Sequence, residues 1–122
     1  MSSRAAQAYA RVANATSSPR EIEAKALLTA ANRLQAVMTD ANATFAQASE
    51  ALLFNRKLWT IFLSEAQRDE NPHPLDVRQS IANISIFVLS QTAALQLSPQ
   101  REHFKSLIEI NRNIAAGLSG RA

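Results

Sequence analysis

A chain of 122 residues is long enough to bury roughly two-thirds of its unfolded surface in one core, and short enough to be read as a single domain. It has no cysteine, two glycines (Gly117 and Gly120) and four prolines, which excludes disulfides and thiolate metal sites, fits a reducing compartment and gives β-turns little to work with. Thirteen basic residues against ten acidic ones give a net charge of +3, but the cations are scattered and only Arg56 and Lys57 adjoin, so they read as a solvated surface and not as a phosphate-tracking stripe.

Residues 1–17 read as an arm. Ser3 to Asn14 can form a short helix, but its stripe is mostly alanine, which gives helix propensity with little buried area, so a weakly ordered arm or short helix is expected. Nothing in it has the apolar core of a signal peptide. The domain proper is expected over residues 18–122. Ser18-Pro19-Arg20-Glu21 opens a helix: Ser18 can cap, Pro19 suits the first position, and Glu21 has capping-box spacing. Leu27, Ala31, Leu34 and Met38 then share one face, and Asp40-Ala41-Asn42 can end it.

The next stripe is Phe45, Ala48, Leu52, Asn55, Trp59, Phe62 and Ala66, spaced by threes and fours, with Leu58 and Ile61 widening the face. Asn55 therefore lies on the seam, and no register that buries Trp59 and Phe62 removes it. Trp59 is expected to anchor the core. Arg68 to Asn71 ends this helix, and Pro72-His73-Pro74 makes a stiff connection.

Pro74 or Leu75 opens a third long helix with Ile81, Ile84, Val88 and Leu95 as its core face. Ile86, Phe87 and Leu89 make it apolar over more than half its circumference, so it is either enclosed by the bundle or has a second apolar face for a partner. Its longest apolar run, Ile84 to Leu89, contains Ser85 and is too short to span a bilayer, so no membrane insertion is expected. Ser98-Pro99-Gln100 breaks the helix, with Ser98 a candidate cap for the last one. That helix carries Phe104, Leu107, Asn111, Ile114 and Leu118, with Asn111 on its seam and Gly117 and Gly120 marking its end. The expected fold is all-α, a small bundle of about four to five helices.

Catalysis needs converging groups, and none converge here. His73 sits between prolines, His103 lies off the Phe104 face, Glu102 and Glu109 lack a Glu-x-x-His partner, and there is no glycine-rich phosphate loop. The expectation is a non-enzymatic protein with no cofactor and no metal. The tryptophan and most phenylalanines lie on core stripes, which argues against direct nucleic-acid binding. What remains is a helical module that binds protein. Its seam amides, Asn55 and Asn111, either pair with each other or a backbone carbonyl inside the domain, or contact a partner. Phe87, with Arg56, Arg78 and Arg112 as polar rim, is the candidate partner surface.

The block Asn55-Arg56-Lys57-Leu58-Trp59-Thr60, then Pro74-x-x-Val77-Arg78, then Ile81-x-x-Ile84-Ser85-Ile86-Phe87-Val88, then Phe104-x-x-Leu107-Ile108-Glu109-Ile110-Asn111-Arg112-x-Ile114-x-x-Gly117-Leu118, resembles the FlaF family of flagellar biosynthesis regulators in order, spacing and chain length. The resemblance is strong from about Leu52 to Leu118 and compatible from Ser18. Two departures stand out: Ser85-Ile86-Phe87-Val88 replaces the family's Gly-hydrophobic-Trp-Val, and His73 replaces a leucine.

The resemblance implies a small cytoplasmic protein of alphaproteobacterial type that binds flagellin as an export chaperone and promotes flagellin synthesis and secretion. It also implies work alongside a second regulator, FlbT, that restrains flagellin mRNA translation. The alternative it leaves is a post-transcriptional regulator acting on flagellin mRNA, alone or with FlbT. Salt separates the two, because phosphate binding weakens steeply with salt and apolar helix-in-groove burial does not.

Overall fold

The computed structural model describes residues 4–7 and 18–120. Residues 4–7 are helical and exposed; the remainder of the arm read over 1–17 lies outside the described residues, as do residues 121 and 122. Four long helices follow: α1 (Pro19–Thr39), α2 (Phe45–Ala66), α3 (Leu75–Leu97) and α4 (Phe104–Leu118), the last entered through a 3₁₀ turn at Arg101–His103. No strand occurs among the described residues.

The helix starts follow from local chemistry. Ser18 Oγ accepts from the Glu21 N–H at 3.2 Å with Pro19 at the first position, which satisfies one of the donors left free at the start of α1. The two-way capping box is made at α2 instead, where Thr44 Oγ1 accepts from Gln47 N–H (3.1 Å) and Gln47 Oε1 accepts from Thr44 N–H (2.8 Å). Pro74 precedes α3 without a side-chain cap. Ser98, expected to cap the last helix, closes α3: its N–H donates to the Ala94 carbonyl, and the 3₁₀ turn intervenes before α4. Gly117 falls inside α4, and the left-handed residue beyond its end is Gly120, at φ 72°.

The helices pair as α1 with α4 and α2 with α3, and α1 also packs on α2. Arg101 fixes the first pairing: its guanidinium donates to the carbonyls of Asp40 and Ala43, at 2.6 and 2.8 Å. The start of α4 is thereby held against the end of α1, and the two run antiparallel. A guanidinium–aromatic contact joins α1 to α2, with Arg33 4.1 Å above the Phe54 ring. Leu27, Leu34, Leu52, Trp59, Phe104, Leu107 and Ile108 are the large side chains at the centre. Phe45, read as part of the α2 stripe, is 66% exposed because it occupies the first position of its helix, where it stands outside the core.

α3 lies along α2 and touches α4 only lightly. Its buried stripe is Ser85, Val88, Thr92 and Leu95. The expected inward residues Ile81 and Ile84 are only half-buried, one step around the helix from that stripe. The helix thus sets small and hydroxyl-bearing side chains against α2 and turns part of its apolar surface elsewhere. Ile86, Phe87 and Leu97 are exposed. Although its longest apolar run is short, α3 as a whole is long and apolar enough, by length and composition, to cross a membrane.

Candidate binding groove and its buried amide chain

The two seam asparagines meet. Trp59 Nε1 donates to Asn111 Oδ1 at 2.9 Å, Asn111 Nδ2 donates to Asn55 Oδ1 at 2.7 Å, and Asn55 Nδ2 donates to Thr92 Oγ1 at 3.3 Å. The Thr92 hydroxyl in turn donates to the Val88 carbonyl at 2.6 Å. All four side chains are sealed from solvent, and among the described residues no buried side-chain polar atom lacks a partner. A neutral amide donates and accepts, so each asparagine passes the chain on without a charge, and the low dielectric strengthens every link. The chain pins α4 and α3 to α2 at one level.

Below Trp59 the contact between α3 and α4 opens into a groove of about 410 Å³. Trp59 and Phe62 form its floor, their rings 5.3 Å apart in an edge-to-face arrangement, with Val77, Ile81 and Ile84 of α3 on one wall and Ile114 and Leu118 of α4 on the other. A second, shallower hollow of about 350 Å³ shares Ile84 and Ile114 with it and adds Phe87 and Ile110. The two make one apolar trough along the α3–α4 seam. Its existence follows from the shifted α3 stripe: Ile81 and Ile84 face the gap and not the centre of the bundle.

The rim of the larger groove is acidic. Glu23 of α1, Glu65 of α2 and Asp76 of α3 line it with His73 of the α2–α3 connection, and no lysine or arginine is among its described lining residues. Burial raises the Glu23 carboxyl above its ordinary value; the cationic form of His73 and Arg20 pull it back, and Glu65 raises it further. Glu65 also pairs with Arg68 at 3.2 Å, in an exposed bridge of the kind that contributes little.

Of the candidate partner residues, Phe87 belongs to this trough and the three arginines are absent from its described lining. Arg56 is exposed and donates to Gln96 Oε1 at 3.3 Å across the α2–α3 hairpin, and Arg112 is exposed on α4. Arg78 is occupied: its Nε donates to the Ala66 carbonyl (3.0 Å) and its Nη2 to the Arg68 carbonyl (2.8 Å), satisfying acceptors at the end of α2. Phe87 lines the shallow hollow and is 51% exposed. Sequence reasoning missed the acid rim. Its members lie far apart in the chain, and only the side-by-side placement of α1, α2 and α3 assembles them. Among the described residues there is no group of three or more histidine or acidic side chains suited to hold a metal ion.

Fold and site together define a small all-helical domain with an open apolar groove held in shape by a buried amide chain. Residues 5–118 match the family model described as Flagellar protein FlaF, so the chain belongs to the FlaF family, and a role connected with the flagellum follows from membership. No curated protein matches the chain, and no solved structure does.

Proposed function

We propose that the protein binds flagellin as a cytoplasmic export chaperone and so promotes flagellin synthesis and secretion, without catalysing a reaction. The observation that carries this reading is the trough between α3 and α4, apolar along its length and open to solvent. An amphipathic helix laid into such a groove removes apolar surface from water on both partners, at about 25 cal/mol per Å², while its polar face stays wet. The family supplies flagellin as the partner, and its amphipathic terminal segments are the chemical match.

The test is co-purification of flagellin with the full chain, followed by crosslink mapping. Two exposed groove residues, Ile61 and Val77, allow the surface to be changed without opening the core. Ile61→Ser with Val77→Asp should leave the thermal melt near the parent's and lower flagellin capture by about tenfold or more. Crosslinks confined to other faces, or capture unchanged by the double substitution, would sink the reading. Flagellin transcript retained by the chain, with that retention falling steeply between low and moderate salt and no flagellin protein captured, would point to the mRNA-binding alternative.

A further inference from the structure

We propose that the groove selects for positive charge: its occupant is a basic amphipathic helix, whose apolar stripe covers Phe62, Ile81 and Ile84 while its lysines or arginines meet Glu23, Glu65 and Asp76. This deepens the proposed function and rests on it for the groove being a docking site; the chemistry of the occupant is the new element.

Three observations carry it. The chain has thirteen basic residues to ten acidic, yet the described charged residues around the groove are three carboxylates and the titratable His73. The carboxylates come from three different helices, so they surround the apolar floor and are not one solvated helix face. The cations near the groove leave this acidic surplus uncancelled: Arg78 is held by the carbonyls of Ala66 and Arg68, Arg68 divides an exposed bridge between Glu65 and Glu70 at 3.2 and 3.3 Å, and Arg20 does not offset the burial of Glu23.

Glu23 adds a physical reason for preferring a cation. Its carboxylate is half-buried and short of compensation, so it is strained toward the neutral form. A guanidinium arriving with the docked helix restores the missing counter-charge, and water excluded by that helix strengthens the new pairs. Acidic or neutral amphipathic helices would bury the same apolar area but desolvate these carboxylates with no counter-charge added beyond the exposed Arg68–Glu65 bridge. Selectivity of this kind comes as much from rejecting the wrong charge as from attracting the right one.

The experiment uses the full chain and three stapled peptides of about five helical turns, identical in their leucine stripe and flanked by arginine, glutamine or glutamate. Fluorescence anisotropy at about 0.15 M ionic strength should rank them arginine over glutamine over glutamate, with about tenfold between the first two. Glu65→Lys with Asp76→Lys, both exposed positions, should reverse the order without altering the circular dichroism melt. Affinities within about twofold of each other for the parent, an order unmoved by the reversal, or no binding by any peptide would each overturn the proposal. Co-flotation of the peptide-free chain with phosphatidylcholine vesicles would also overturn it, by naming a lipid surface as occupant. Flagellin captured alongside a flat peptide ranking removes the charge selectivity and leaves the chaperone reading. Arginine-peptide binding with no flagellin capture does the converse.

Discussion

The Asn111 side-chain amide donates to Asn55 Oδ1 across 2.7 Å, and both residues are sealed inside the domain. One amide comes from the second helix and the other from the last, so the pair works as a register key: α4 cannot slide by a turn along α2 without orphaning both. Replacing Asn111 with leucine strands two buried groups, Asn55 Oδ1 and Trp59 Nε1. Urea denaturation should report a loss of about 3 kcal/mol. Asn55→Leu combined with Asn111→Leu should cost clearly less than the two single losses added, because the shared bond is counted twice in the sum.

Trp59 is 1% exposed, donates into this chain, and stacks edge-on against Phe62. Truncation to alanine removes the floor of the groove and the hydrogen bond together. Trp59→Ala should destabilise by about 3–5 kcal/mol in thermal or chemical melts. A variant as stable as its parent would contradict the burial.

Arg78 is a staple between α3 and the end of α2, since its guanidinium donates to two carbonyls there. Arg78→Ala should cost about 1–3 kcal/mol, and the deficit should appear first as faster amide exchange around the α2–α3 connection. Flagellin capture per folded molecule should be little changed, which separates a positioning role from a contact.

Glu23 gives a pH dependence of defined sign. Its carboxyl titrates above the ordinary value in the folded chain, chiefly through burial, so the native state holds a proton that the unfolded state releases. Stability contributed by this group is present at low pH and lost as pH rises from the ordinary value through the raised one. Glu23→Gln removes that loss. Its melting temperature should exceed the parent's at neutral pH, and the gap should close at about pH 4 and below.

The helices and the asparagine seam were legible because a spacing of threes and fours survives any tertiary arrangement, and because an amide among Leu52, Trp59 and Phe62 has only a few affordable fates. The orientation of α3 was legible only in part. Val88 and Leu95 are buried as their spacing suggests, yet Ser85 and Thr92 join them in place of the greasier Ile81 and Ile84, with hydroxyls bonded back to the carbonyls of Ile81 and Val88. Small side chains can win a helix–helix seam through fit, which periodicity does not register. The rim was hidden for a related reason: Glu23, Glu65 and Asp76 belong to three helices, and each alone reads as an ordinary surface acid.

The pairing of α1 with α4 has a consequence for how the chain reaches this state. The α2–α3 hairpin joins neighbours and can close early, whereas α1 finds its principal partner only in the last helix of the domain. The side of α1 that α4 covers therefore stays wet until α4 has been made and the 3₁₀ turn has swung it back, with Arg101 latching onto Asp40 and Ala43. Such a long loop closure slows folding relative to a simple up-and-down bundle. A nascent chain ending at α3 leaves the α4-facing side of α1 uncovered, and the groove acquires its α4 wall only when that helix docks.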